Sequence, residues 1–403
     1  MTTRRLPRWS ELKTLIRPQP IQLNPVTRRL SKAVTINDLR QIARRQVPKA
    51  VFDYVDGAAE EEISLQRARE AFRRVEFLPS ILQDVSKVDT STTILGKRSE
   101  LPLIFAPTGF TRMMNHEGEI AVGKVANRAG IPYAISTMGT TSLEVLAETV
   151  PNARRWFQLY LWKDRAASRD LIARAAAAGY EALVLTVDTP IAGSRQRDVR
   201  NGLTIPPALT LKTMFDSALH PEWWINMFTT EPLSFASLNS WNGTVAELVA
   251  VMFDPSASFA DLEWLRNEWK GSLVVKGIQN IADAKKTTEL GADAIVVSNH
   301  GGRQLDRAPT PLEQLPRIVE AVGDKTEIYL DGGILSGADI LAAVGLGARA
   351  CMVGRAYLYG LMAGGERGVQ RATDILSIEM HKTLQLLGIK SISELNAERV
   401  RIK

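Results

Sequence analysis

The chain has 403 residues, 50 Lys and Arg against 44 Asp and Glu, and a formal net charge of +6. With 45% hydrophobic and 23% charged residues it has the balance of a folded globular protein, long enough to bury a core without disulfides or a structural metal. Its single cysteine, Cys351, excludes an internal disulfide, a multi-cysteine metal site and an iron–sulfur cluster. The positive surplus is too small at this length to indicate nucleic acid.

The first residues, MTTRRLPRWSELKTLIRPQP, carry arginines without the apolar stretch of a secretory signal behind them. Residues 1–33 read as a basic, proline-containing arm. No run reaches the roughly 18 apolar residues of a membrane span. The expected location is the cytoplasm.

Residues 35–75 read as two or three helices, with Asn37 or Asp38 as the first N-cap. From about residue 100 one grammar repeats: a short apolar, β-rich run ending in polar residues, then a helical stretch. The runs are Leu103–Pro107, Tyr133–Thr137, Arg155–Tyr160, Ala182–Asp188, Leu273–Ile278, Ala294–His300, Glu327–Gly333 and Arg349–Arg355. Gly130, Gly179, Gly291 and Gly347 stand where helix C-cap glycines belong. Eight such units predict an α/β fold, a (β/α)8 TIM barrel with an N-terminal helical extension and a C-terminal helical tail. An open doubly wound sheet is the competing arrangement, and the lack of a G-x-G-x-x-G after the first strand tells against it.

The barrel core is expected over about residues 100–365. Asp188 to Leu273 spans 85 positions, where neighbouring connections need roughly 20–30. The surplus marks a long insertion after strand 4, about residues 200–260, with Trp223, Trp224, Met227 and Phe228 close together.

In such a barrel the active site is built at the C-terminal ends of the strands. The chemically capable residues concentrate there: Thr108 and Gly109; Ser136 and Thr137; Gln158 and Tyr160; Thr186 and Asp188, with Arg195 in the following loop. Lys276 ends the fifth run, and Ser298, His300 and Arg303 follow the sixth. Asp331-Gly332-Gly333 end the seventh and Gly354-Arg355 the eighth. Each alone reads as a loop residue, a helix cap or a turn. Eight such readings in register are hard to sustain. Glycines after strands 7 and 8 let backbone amides approach an anion, and Arg355 adds a bidentate cation, so a phosphorylated ligand is expected.

The strings FDYVDGAAE (52–60), FQLY (157–160), TVDTP (186–190), VKGI (275–278), SNHGGRQLD (298–306) and DGG followed by VGR resemble the FMN-dependent α-hydroxy-acid dehydrogenases and oxidases. The likeness runs in order over residues 34–397, and the insertion and tail are most similar to the bacterial respiratory L-lactate dehydrogenase branch. It implies FMN as cofactor and a small 2-hydroxy acid, L-lactate above all, as substrate. It implies His300 as the base, with Asp188 stabilising its imidazolium form. It further implies Arg303 and Arg195 on the substrate carboxylate, Tyr54 and Tyr160 on carboxylate and hydroxyl, and Lys276 beside the flavin where charge builds on reduction. Thr108, Gly109, Ser136, Gln158, Thr186 and Ser298 would bind the isoalloxazine and ribityl chain. Asp331, Gly332, Gly333, Gly354 and Arg355 would hold the ribityl and phosphate end. No metal is implied. A homo-oligomer, a tetramer, is.

Three positions depart from the family pattern. Gly109 replaces an alanine and removes a methyl beside the flavin, which leaves oxidase and dehydrogenase behaviour both open. Leu335 replaces an arginine, so phosphate binding would rest on Arg355 and backbone amides. Met138 replaces an aromatic that shapes the substrate pocket. His116, with Glu117 at a helix start, reads as a capping element rather than a second base.

Trp223 and Trp224 read either as packing for the insertion or as a membrane-docking surface. The latter predicts peripheral attachment to the inner face of the cell membrane and a quinone or other respiratory electron acceptor. With no haem-binding domain expected before residue 34, an acceptor within the chain is not expected. The rival readings are an oxygen-using oxidase that releases hydrogen peroxide and a flavoprotein acting on a larger, peptide-like substrate.

Overall fold

The computed structural model of the chain describes residues 5–15, 22–202, 218–238 and 252–403. All eight expected strands form: β1 (Leu103–Phe105), β2 (Tyr133–Ser136), β3 (Arg155–Leu159), β4 (Ala182–Thr186), β5 (Ser272–Ile278), β6 (Ala294–Val297), β7 (Glu327–Asp331) and β8 (Ala350–Val353). They run parallel in sequence order, and β8 pairs back onto β1 through Cys351↔Leu103 to Val353↔Phe105, closing the (β/α)8 barrel. Ser136, Thr186 and Asp331 end their strands and Gln158 and Lys276 lie within theirs, while Thr108, Asp188, Ser298 and His300 lie just beyond, in the loops at the barrel mouth.

Both faces of every strand are covered, which is why the strands read as unbroken apolar runs. Side chains alternate. Ile104, Ala134, Trp156, Val184, Val274, Val296, Tyr329 and Met352 form an inner cluster, while Leu103, Tyr133, Phe157, Leu183, Val275, Ile295, Leu330 and Cys351 belong to the layer packed under the helices. Ile94, at the tip of the hairpin Thr92–Ile94/Lys97–Ser99, joins the inner cluster, and Arg154 Nη2 donates to the Ile94 carbonyl at 2.8 Å. The hairpin therefore plugs the barrel at the N-terminal end of its strands.

Residues 35–75 form three helices, the upper of the two expected counts: Ile36–Gln46, Lys49–Asp56 and Ile63–Arg73. The first is capped by Thr35, not by Asn37 or Asp38: Thr35 Oγ1 accepts from Asp38 N at 3.1 Å, and the Asp38 carboxylate accepts from Thr35 N at 2.9 Å. This reciprocal capping box puts Asp38 in the third helical position. The final turn of the basic arm, helix Pro25–Leu30, buries Leu30 and contacts the C-terminal helix through Arg29 Nε on the Ala363 carbonyl at 2.7 Å.

Gly130, Gly179, Gly291 and Gly347 all take positive φ, as C-cap glycines do. Glu117 does not cap its own helix, Gly118–Arg128. Its carboxylate instead accepts the Glu366 N–H at 2.5 Å, where the long helix Arg355–Leu387 breaks at Gly364 and Gly365. Between β4 and β5 the described residues form Gln196–Asn201, Pro221–Thr229 and Phe259–Glu268. The rest of the expected insertion lies outside them.

Candidate active site

The alternation that fills the barrel also builds its mouth. Two positions beyond the inner-cluster residues Ala106, Ala134, Trp156, Val184, Val274, Val296, Tyr329 and Met352 stand Thr108, Ser136, Gln158, Thr186, Lys276, Ser298, Asp331 and Gly354. With a period of two, these eight form the next inward layer. Seven are polar where the layer beneath is apolar.

Six of them bond to one another, in two groups of three. Ser136 Oγ donates to Gln158 Oε1 at 3.0 Å, and Gln158 Nε2 donates to Thr186 Oγ1 at 3.1 Å. Lys276 Nζ lies 2.9 Å from Asp331 Oδ2 and donates to Ser298 Oγ at 3.1 Å, while Ser298 Oγ donates to Asp331 Oδ2 at 2.6 Å. Burial opposes the Lys276 charge, but Asp331 and Asp188 outweigh it and hold its pKa above the ordinary value. Burial likewise opposes the Asp331 charge, and Lys276 and Ser298 keep its pKa below the ordinary value. A full ammonium is thus fixed in the barrel mouth. Thr108 Oγ1 shares a hydrogen bond of 2.7 Å with the Tyr357 hydroxyl.

His300 follows β6 in the left-handed region, with φ of 58°, a conformation costly for a non-glycine residue. Its backbone N–H donates to Ser298 Oγ at 3.0 Å, and its Nδ1 lies 2.9 Å from Asp188 Oδ1. Nδ1–H donating to the carboxylate leaves Nε2 with a lone pair. Burial lowers the His300 pKa against the opposing pull of Asp188, so the ring is neutral at pH 7. Gly277 makes the approach of Asp188 possible: its φ is +117°, and a Cβ there would fall 2.8 Å from Asp188 Cβ. Asp188 Oδ2 is buried without a partner.

Beside this pair, two guanidiniums share one ring. Arg303 lies 4.9 Å and Arg195 5.9 Å from the centroid of Tyr54. Arg303 Nη1 donates to the Tyr54 carbonyl at 2.5 Å, and no protein acceptor meets its Nε or Nη2 among the described residues. Arg195 Nε is buried and unpartnered. Burial and the nearby Arg195 push the Arg303 pKa down. Two adjacent half-buried cations with open donors, near the Asp198 carboxylate but bonded to no carboxylate, make a receptor for an anion. The hydroxyls of Tyr54 and Tyr160 also carry no protein bond among the described residues. Burial, with Asp188, pushes the Tyr160 pKa up and keeps it a donor.

Arg355 differs from expectation. Its Nε, Nη1 and Nη2 donate to the carbonyls of Val55, Gly301 and Gly57 at 2.9, 2.8 and 2.7 Å. The guanidinium straps the His300 loop to the end of the Tyr54 helix, whose C-terminal carbonyls attract cations. These bonds use three of its five N–H groups. The N-terminus of helix Arg355–Leu387, where no side chain caps Gly354, also stands open to a phosphate. Packing alone does not demand glycine there, since a Cβ at Gly354 would meet Thr108 Cγ2 at an ordinary 3.5 Å. The helix after β7, by contrast, is capped by Ser336. Gly333 is required by packing, because a Cβ there would fall 3.0 Å from the Ala68 carbonyl; a Cβ at Gly332, with φ of +109°, would meet Asn299 Oδ1 at 3.2 Å.

The donor set fits FMN. Hydroxyls, an amide and an ammonium ring the mouth for a flavin's polar edge, and an uncapped helix end stands at β8 for its phosphate.

Sequence reasoning missed Phe253, whose ring meets Tyr160 edge-on at 5.2 Å. It comes from the insertion, where no strand pattern marks it. Gly109 and Met138, two departures considered separately, are neighbours: a Cβ at Gly109 would fall 3.0 Å from Met138 Cβ. His116 lines a small cavity with Arg29, Trp223 and Met227, apart from His300.

A barrel whose inward top layer is polar, with a neutral His–Asp pair beside an anion receptor, defines a flavin-dependent oxidoreductase of small acids. The FMN-dependent dehydrogenase family model matches residues 43–402, and the chain belongs to that family. It is 53% identical over 397 residues, 98% of this chain and 96% of the relative, to a putative L-lactate dehydrogenase of Mycobacterium tuberculosis. It is 39% identical over 370 residues, 91% of this chain and 98% of the relative, to an L-lactate oxidase of Nostoc sp.. Among solved structures it matches the monotopic membrane protein (S)-mandelate dehydrogenase with a TM-score of 0.88 and 34% identity, over 92% of this chain and 100% of that one. The protein is an FMN-dependent L-2-hydroxy-acid oxidoreductase.

Proposed function

We propose that the protein oxidises L-lactate to pyruvate and passes the electrons to a quinone at a membrane surface. The observation that carries the reading is the contact of His300 with Asp188, set beside the Arg195–Tyr54–Arg303 receptor. The two arginines bind the lactate carboxylate and orient the α-carbon, with the Tyr160 hydroxyl as a further donor. His300 Nε2 takes the substrate proton, and Asp188 stabilises the imidazolium that results. Bound FMN supplies the two-electron acceptor. Lys276, kept charged by Asp331, provides fixed positive charge where reduction places negative charge. The same groups serve removal of the hydroxyl proton and of the α-proton.

Lactate is favoured over larger acids by the relative at 53% identity, named for that substrate. A membrane-bound acceptor is favoured by the helix Pro221–Thr229, which divides its aromatic residues between two faces. Trp223 Nε1 donates to the Met113 carbonyl at 2.8 Å, and its ring packs on the core. Trp224, Ile225 and Phe228 face outward, Phe228 with 65% of its surface exposed. Trp223 thus takes the packing role, and Trp224 is the one left exposed for the docking proposed here. No helix among the described residues is long and apolar enough to cross a membrane, so contact would be peripheral. Assembly as a homo-tetramer belongs to the same reading and is checked by light scattering.

An oxygen-using oxidase is the second reading, supported by the L-lactate oxidase relative. Turnover of L-lactate with a soluble quinone, with and without air, separates the two. The dehydrogenase reading expects quinone reduction and little hydrogen peroxide. Stoichiometric peroxide in air, with no quinone reduced, overturns it.

A further inference from the structure

Away from the barrel mouth, a dense group of charged side chains joins the helix Lys49–Asp56 to the segment that follows β4. Asp53, Asp56 and Glu62 have side chains only 10%, 5% and 14% exposed. Arg197 reaches all three. Its Nη1 lies 3.1 Å from Asp56 Oδ2 and 3.6 Å from Asp53 Oδ1, and its Nη2 bonds the Glu62 carboxylate. Asn201 Nδ2 adds a bond to Asp53 Oδ2 at 2.8 Å, and Glu60 N donates to the Ser194 carbonyl at 2.7 Å. Arg195 and Arg197 flank the first position of one short helix, Gln196–Asn201, while Tyr54 and Asp56 sit on the helix that faces it.

Arg195 needs such a restraint. It has no hydrogen-bond acceptor among the described residues: it meets the Tyr54 ring, which it shares with a second cation, Arg303, and feels the Asp198 charge only at longer range. Like charges so placed repel. The Tyr54 helix has independent anchors: Arg40 and the Tyr359 hydroxyl on Asp56 at 2.5 and 2.8 Å, and Arg355 on Val55 and Gly57. Loss of Arg197 therefore leaves the helix in place and releases chiefly the segment that carries Arg195.

We propose that Arg197 is a positioning residue for substrate binding: its fork, spanning Asp56 and Glu62, holds Arg195 over Tyr54 and so sets the affinity for the substrate carboxylate. The proposal rests on the reading of Arg195, Tyr54 and Arg303 as the carboxylate receptor. A partly buried, bidentate arginine between two carboxylates suits this role in a way a lysine does not, because its planar fork fixes direction as well as charge.

The test uses the FMN-loaded enzyme and four variants: Arg197→Ala, Arg197→Lys, Glu62→Gln and Arg195→Ala. KM and kcat are measured with L-lactate. The Kd of oxalate, a dicarboxylate with no hydrogen to surrender, is read from the flavin absorbance. Arg197→Ala is expected to raise both KM and the oxalate Kd about tenfold with kcat within about twofold, the pattern of lost uniform binding. Glu62→Gln keeps its bond to Ala58 N, moves both constants the same way by less, and carries the test if Arg197→Ala does not fold. Arg197→Lys should restore part of the affinity. If Arg195→Ala weakens oxalate while Arg197→Ala and Glu62→Gln do not, the positioning role is overturned and the receptor stands. If Arg195→Ala itself leaves oxalate binding unchanged, the receptor reading fails and the proposal with it.

Discussion

His300 Nδ1 lies 2.9 Å from Asp188 Oδ1, although the two residues stand 112 positions apart and on the loops of different strands. The contact fixes which ring nitrogen carries the proton and so which one is the base. In Asp188→Asn the imidazolium loses its counter-ion, and flavin reduction is expected to fall about 10²–10⁴-fold. The pH profile should move with a definite sign. Neutral His300 is the active form, so the rate falls as pH drops through a pKa that burial has already lowered from 6.5. Removing Asp188 lowers that pKa further, and the acid limb of the profile shifts to lower pH. Stopped-flow reduction from pH 4 to 8 checks both the drop and the shift.

Gly277 gives a steric route to the same pair. Alanine there must accept a φ of +117° and a Cβ 2.8 Å from Asp188 Cβ, so Asp188 has to move. Gly277→Ala is expected to slow flavin reduction about 100-fold, as misplacement by an ångström does, with FMN still bound. Bound flavin and reduction rate, measured on one preparation, decide it.

Lys276→Met leaves the Asp331 carboxylate buried without its cation, at a cost of about 3–5 kcal/mol in unfolding free energy. Asp331 in the wild type has its pKa below 3.8, so the pair stabilises the fold at neutral pH and is lost as pH falls through that lowered value. In the variant the Asp331 pKa rises and the carboxyl takes up a proton sooner. The gap between variant and wild type should therefore narrow on acidification. Urea unfolding of the cofactor-free proteins at pH 7 and at pH 5 reads this directly.

The neighbouring tryptophans should separate cleanly. Trp224→Gln with Phe228→Gln removes exposed apolar surface and is expected to weaken binding to anionic vesicles by about tenfold or more at unchanged stability. Trp223→Ala removes a packed ring and its bond to Met113, and should cost about 2–3 kcal/mol of stability. Co-sedimentation with vesicles and thermal unfolding of both variants make the comparison.

The barrel was legible in the sequence because every strand is covered on both faces, which leaves continuous apolar runs with polar residues at one end. Gln158, Lys276 and Asp331 were legible as the polar ends of those runs; the structure adds that each stands two places beyond an inner-cluster residue. The Thr35 cap escaped because Asn37 and Asp38 stand closer to the helical pattern, although the Thr-x-x-Asp spacing carries the signal. Partners set by tertiary placement were not legible. Arg355 carries the charge a phosphate wants, but the carbonyls of Val55, Gly57 and Gly301 take three of its five donors. Glu117 does mark a helix start, yet its carboxylate serves a helix break 249 positions away. Phe253 and Arg197 lie where no periodic pattern points to them.

The central claim, that His300 is the base for oxidation of a hydroxy acid held by Arg195 and Arg303, is tested most directly by anaerobic mixing with L-lactate while the flavin absorbance is followed. The wild type should bleach in a single turnover. His300→Ala should retain FMN and bleach at least about 10³-fold more slowly. Bleaching of His300→Ala at the wild-type rate would contradict the account.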